Sequence, residues 1–183
     1  ATPAAIMVGT GVAAKNGILI QDALALELAH RIRVVAFDKT GTLTEGSPAV
    51  QAWHAVIPGQ EALSLALGLQ VASEHPLAKA MVQFARAQQA AVMSFHRIEA
   101  LPGAGIVGTC TQGIRAEHRI ALLSHQAAHA MQDVSSLSDL VQSYLESGYS
   151  VSYLIDQTDQ QVLAVAGFLD AIKPTASRAI KQL

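Results

Sequence analysis

The stretch Arg33-Val34-Val35-Ala36-Phe37-Asp38-Lys39-Thr40-Gly41-Thr42-Leu43-Thr44 joins a short apolar run of strand formers to an abrupt polar turn. A carboxylate at the C-terminal end of a buried strand in an open α/β sheet stands in the crevice where ligands bind. Asp38 is therefore a candidate nucleophile. With a reference pKa of about 3.9 it is ionised at neutral pH and needs no general base. Its neighbours suit phosphoryl transfer: Lys39 adds positive charge, Thr40 and Thr42 offer hydroxyls, and Gly41 lets backbone N–H groups approach phosphate oxygens. An anion attacking an anion needs Mg²⁺ and hydrogen-bond donors. The bland alternative is a polar turn leaving a strand.

Working outward, Gly17 to Ile20 reads as a second short buried strand, followed by a helix that Asp22 can cap, with Leu24, Leu28 and Ile32 on one face. Past Gly46 and Pro48 the texture changes. A strand around Val50 to Ile57 precedes a helix over Glu61 to Gln70, and Pro76 starts another that runs to about Gln89 with Leu77, Met81 and Phe84 inward. Between Phe95 and Leu122, strands broken by Gly103, Gly105, Gly108 and Gly113 suggest an antiparallel meander. Ser136 and Asp139 form an expected capping box, and Gly148 sits where a helix ends. Tyr149 to Ile155 and Gln161 to Leu169 read as a hairpin, and a last helix starts near Pro174. The simplest organisation is an α+β domain, 47–165, inserted between α/β pieces at 15–46 and 166–183.

Composition narrows the function. Of 183 residues 51% are hydrophobic and 14% charged, which excludes disorder for most of the chain, and a net charge of −2 without a basic patch argues against nucleic acid. The one cysteine, Cys110, cannot form an internal disulfide and is expected to be a small core residue. Ala1 to Ala14 is too short to cross a bilayer, and without an initiator Met the sequence reads as a piece of something larger.

The run Asp38-Lys39-Thr40-Gly41-Thr42-Leu43-Thr44 resembles the phosphorylation motif of the P-type ATPases, ion pumps whose Asp is transiently phosphorylated by ATP within a haloacid-dehalogenase-like fold. The resemblance extends along the chain. Ala1 to Gly11 resembles the cytoplasmic exit of a membrane helix (1–14), Asn16 to Ile20 and the helix through Glu27 resemble the approach to the phosphorylation domain, and Asp170 to Pro174 resembles its hinge. Ser73-Glu74-His75-Pro76 resembles the motif that marks the heavy-metal branch, whose His positions ATP. Gly103-Ala104-Gly105 resembles the nucleotide-binding loop of that branch. Two departures stand out: Gln70 replaces a usual Glu at the adenine site, and Arg115-Ala116-Glu117-His118 stands where the family often has Gly-Asn.

This resemblance implies a nucleotide-binding domain of antiparallel sheet and helices inserted into a partial Rossmann-like phosphorylation domain. Asp38 would be the nucleophile, with Lys39, Thr40, Gly41 and Thr42 around it and Mg²⁺ held partly by Asp38 and Thr40. ATP would be bound by Gln70, Glu74, His75, Gly103 and Gly105. Partners would be the actuator and membrane domains of a full-length pump in a bacterial inner membrane, and a heavy-metal ion held by membrane segments. The opening segment favours copper(I) export over a zinc, cadmium or lead pump. The family's Thr-Gly-Asp and Gly-Asp-Gly loops are not among these residues, so the chain alone is expected to bind nucleotide and hydrolyse little. A soluble phosphatase of the same superfamily would carry Asp where Thr40 stands, and a nucleotide-binding regulator would not need Asp38. His125 and His129, four apart, could hold a metal on a helix face, but no third ligand accompanies them in sequence.

Overall fold

The computed structural model describes residues 2–22, 24 and 28–182, in two compact units, 1–37 and 38–183. In the first, helix α1 (Thr2–Lys15) ends where Asn16 Nδ2 donates to the Val12 carbonyl at 2.9 Å and Gly17 turns left-handed at φ +77. Among the described residues no helix is long and apolar enough to cross a membrane. Asp22 does accept from the Leu24 N–H at 2.9 Å, as a capping residue should. Leu24 and Leu28 are helical, a single turn Ala29–Arg31 follows, and Ile32 is already extended. Glu27 lies outside the described residues.

Two expected strands are absent. Residues 18–20 and 33–37 are irregular and largely exposed, with Leu19 and Val34 more than four-fifths accessible. A strand persists through hydrogen bonds to a neighbour, and no described residue pairs with either segment. Apolar β-formers alone do not supply the partner.

The second unit is built on one six-stranded antiparallel sheet. Its strands are β1 (Thr44–Ala55), β2 (Phe95–Leu101), β3 (Gly105–Cys110), β4 (Arg119–Ser124), β5 (Ser150–Asp156) and β6 (Gln161–Ile172), in the order β1-β6-β5-β4-β3-β2. Helices α2 (Gly59–Gln70) and α3 (Pro76–Ala87) lie on one face, α4 (His125–Met131) and α5 (Ser138–Glu146) are packed on the other, and α6 (Ala176–Lys181) follows the sheet. Strand alternation sorts the side chains. Leu122, Leu154, Ala164 and Phe168 join Leu65, Leu69 and Met81 in the first core, while Ala121, Leu123, Tyr153 and Val165 join Ala128 and Val141 in the second. Cys110 is fully buried in the first core layer.

The structure refines several local expectations. Strands β1 and β6 pair from Thr44 with Ile172 to Ala55 with Ala164. Helix α2 starts two residues early, with Pro58 as its N-cap, whose carbonyl accepts from the Ala62 N–H at 3.1 Å. The Ser136 and Asp139 capping box does not form. Asp133 accepts from the Ser135 N–H at 2.9 Å, a one-turn helix Ser135–Leu137 follows, and α5 begins at Ser138 without a side-chain cap.

Candidate functional site

Asp38 is extended and exposed, and its side chain caps no backbone group of the five-residue π-type turn Lys39–Leu43 that follows. The carboxylate is thus open to a ligand. Lys39 and Thr42 are exposed beside it, and Gly41 sits at φ +76, a conformation that favours glycine. The Thr40 side chain lies outside what is described. What fixes the turn is Thr44, which is buried at the start of β1. Its hydroxyl accepts from the Gly41 N–H at 3.1 Å and lies 3.1 Å from the Lys39 carbonyl and 2.5 Å from Asp170 Oδ2. With one proton to give, it donates to the charged, shorter partner. Asp170 also takes the Ser47 N–H at 3.1 Å, and Lys173 Nζ donates to the Gly41 carbonyl at 2.6 Å. The end of β6 therefore holds the turn that presents Asp38.

On the α2/α3 side of the sheet a cavity of about 430 Å³ opens, within the range of small-molecule sites. It gathers Gln70, His75, Gly103 and Gly105, four of the five residues expected at a nucleotide. Gln70 ends α2 and His75 precedes Pro76 at the start of α3. His75 Nδ1 accepts from the Leu77 N–H at 3.2 Å, so in the neutral ring the proton is on Nε2, which is left as a donor. Glu74 is not on the cavity wall. It is exposed and pairs with Lys79 at 2.5 Å, and that hydrogen bond and charge hold its carboxyl below the usual range. A larger depression of about 560 Å³, around His54, Asp133 and Gln160, collects none of the expected residues.

The glycine pair has a structural reason of its own. Gly103 turns the β2–β3 connection at φ +72, while a Cβ on Gly105 would overlap the Leu122 carbonyl oxygen on β4. Close strand approach by itself demands Gly105. Gly105→Ala, strained at φ +147 as well, is expected to cost on the order of 3 kcal/mol, read as a lower denaturation midpoint.

Arg115 to His118 does not reach the cavity. It lies in the β3–β4 turn, at the opposite end of the strands from Gly105, which pairs with Leu123. Besides the ends of β2 and β3, the cavity is lined by Leu122 and Ser124 of β4, Ser152 of β5 and Phe168 of β6, none of which the sequence reading placed there. Ser124 also caps α4, its side chain accepting from the Ala127 N–H at 3.4 Å. The β3–β4 turn instead anchors a buried network. Asp156 Oδ2 takes Arg115 Nη1 at 2.6 Å and His118 Nδ1 at 2.8 Å, and Arg115 Nε reaches Glu61 at 3.1 Å. Asp156 Oδ1 accepts the N–H groups of Thr158 and Asp159.

A family model, haloacid dehalogenase-like hydrolase, matches residues 32–183. The chain belongs to that family. Over its whole length it is 39% identical to the probable copper-importing P-type ATPase A of Enterococcus hirae and 35% identical to the copper-exporting P-type ATPase of Staphylococcus aureus. It spans 24% and 22% of those two proteins. The crystal structure of a zinc-transporting PIB-type ATPase in its E2.Pi state superposes with a TM-score of 0.65 at 33% identity, covering 99% of this chain and 28% of that one. For this haloacid dehalogenase-like chain, the expected fold class agrees with the comparisons: a mixed α/β chain with a six-stranded antiparallel sheet and helices.

Proposed function

We propose that the chain is the ATP-binding and phosphorylation-site region of a heavy-metal cation pump, with copper(I) export as the transport reaction. The observation that carries the reading is the convergence of Gln70, His75, Gly103 and Gly105, from three separate segments, on one cavity in a chain that also presents an open Asp38. Residues 47–165 would form the nucleotide-binding domain, between phosphorylation-domain pieces at 15–46 and 166–183, on the cytoplasmic side of a bacterial inner membrane. Whole-length identity to two proteins named for copper supports that cargo. Their names differ in transport direction, and uptake by everted vesicles reads it directly. A zinc pump is the second reading, favoured by the 33% identity to a zinc-transporting protein.

In this scheme the cavity holds the adenine, with the exposed Nε2–H of His75 donating to a ring nitrogen and Gln70 offering both an acceptor and a donor. Asp38 attacks the γ-phosphoryl group in line, forming an acyl phosphate as the bond to ADP breaks. The exposed Asp38 carboxylate, with Thr40, suits Mg²⁺, whose role is to offset the charge of the reacting oxygens. Lys173 and Asp170 keep the turn from collapsing onto the nucleophile. A phosphatase reading is disfavoured because Thr40, two residues after the nucleophile, is too weakly basic to activate water.

The test uses the full-length protein and γ-phosphate-labelled ATP. An acid-stable, hydroxylamine-sensitive phosphoenzyme whose level depends on copper(I) is expected, and one that responds only to zinc would move the cargo to the second reading. In the isolated chain, Gln70→Ala is expected to lower ATP affinity by up to about tenfold, while Gln70→Glu preserves or improves it, because bonds to ionised groups are the stronger ones. Calorimetric titration reads both; unchanged affinity in both variants removes Gln70 from the site.

A further inference from the structure

The face of the sheet opposite the cavity carries a cluster that this function leaves unused. His125 and His129 lie one turn apart on α4, with ring centres 4.5 Å apart at an interplanar angle of 67°. Tyr153 of β5 sits against both: His125 stacks on it at 6.0 Å, and His129 meets it edge-on at 6.2 Å. Tyr153 is fully buried, and its hydroxyl has no hydrogen-bond partner. The Nδ1 atom of His125 is also buried and unpartnered. Two orphaned polar atoms in one three-ring cluster are unusual, because buried polar groups are normally satisfied. His129 is exposed, so the cluster is open to solvent on one side.

We propose that His125 and His129, backed by Tyr153, bind one borderline divalent cation of the first transition row, Cu²⁺ or Zn²⁺. The spacing fits such an ion. With metal–nitrogen bonds of about 2.0–2.1 Å, two imidazoles sharing one ion hold their ring centres roughly 4.5–5 Å apart. Imidazole ligands without a thiolate select these cations over softer or harder ones. Coordination through Nε2 of His125 would fix a proton on Nδ1, making it a donor in the same cluster as the unpartnered Tyr153 hydroxyl. Water would complete the coordination on the exposed side.

A rival set of ligands does not compete. His118, Asp156 and Asp159 place ligand atoms within 4.8 Å of one another. Both oxygens of Asp156 are, however, already taken, one by Arg115 and His118 and the other by two backbone N–H groups. The guanidinium stands where a cation would.

This site does not depend on the pump reading, and its test does not involve ATP. The full 183-residue chain, without a histidine tag, is titrated with Zn²⁺ by calorimetry and with Cu²⁺ by electron paramagnetic resonance. One equivalent of each should bind, with hyperfine structure from two nitrogens on Cu²⁺. His129→Asn, at an exposed position, should weaken binding at least tenfold with an unchanged circular dichroism spectrum, while His118→Asn should leave it as in the parent. Absence of binding, equal affinity in His129→Asn, or loss of binding in His118→Asn would each overturn the assignment.

Discussion

Asp38→Asn in the full-length protein is expected to reduce labelled phosphoenzyme below detection while ATP affinity stays within about twofold. The carboxamide has nearly the same shape as the carboxylate but is not a nucleophile at phosphorus. The turn that presents residue 38 is held by Thr44, Asp170 and Lys173, and Asp38 caps none of its backbone groups, so the substitution leaves the turn intact. The cavity of Gln70, His75, Gly103 and Gly105 does not include it either. Acid-quenched labelling with ATP titration in parallel checks both halves. Label persisting in the variant would place the nucleophile elsewhere.

The second large effect concerns stability. Asp156→Ala should destabilise the chain by about 3–5 kcal/mol, because it leaves the nearly buried Arg115 guanidinium without its closest counter-charge. Burial raises the Asp156 pKa, but His118, the Asp159 N–H and Arg115 together more than offset that, and the net shift is downward from 3.8. The sign follows from linkage. A carboxylate whose pKa is depressed by folding contributes stability above its unfolded value and loses it as pH falls through its folded one. The wild type should therefore lose stability below about pH 4, and Asp156→Ala should lose less over that window. Urea denaturation at pH 7 and in the acid range measures both; a variant as stable as the wild type at pH 7 would show the network to be dispensable.

What was legible in the sequence was local. The His75-Pro76 helix start and the Gly103 turn are each fixed within a few residues by side-chain chemistry that recurs wherever those residues meet, whereas the Asp38 turn, legible from its own residues, is held from afar by Asp170 and Lys173. The Arg115, Asp156 and Glu61 network was not legible, because its members come from a turn, a strand end and a helix start that only the sheet register brings together. Ser124, Ser152 and Phe168 were missed for the same reason, since which strand positions face a cavity follows from pairing across β4, β5 and β6. One piece of that network did leave a trace. Asp156 followed by Thr158 and Asp159 has the form of an Asx turn, in which a carboxylate accepts N–H groups two and three residues on. The expected strands at 17–20 and 33–37 failed for the converse reason, their composition being right and their partners absent among the described residues.

In the proposed pump the cavity between the α2–α3 connection and the Gly103 turn holds the adenine of ATP. Two-dimensional amide and imidazole spectra of the isotope-labelled chain, recorded during titration with ATP and then with GTP, test it most directly. Saturable shifts are expected for Gln70, His75, Gly103, Gly105 and Ser124 with ATP, much weaker ones with GTP, and none at Arg115 or His118. Shifts confined to the surface around Asp133 and Gln160, or equal responses to both nucleotides, would contradict it.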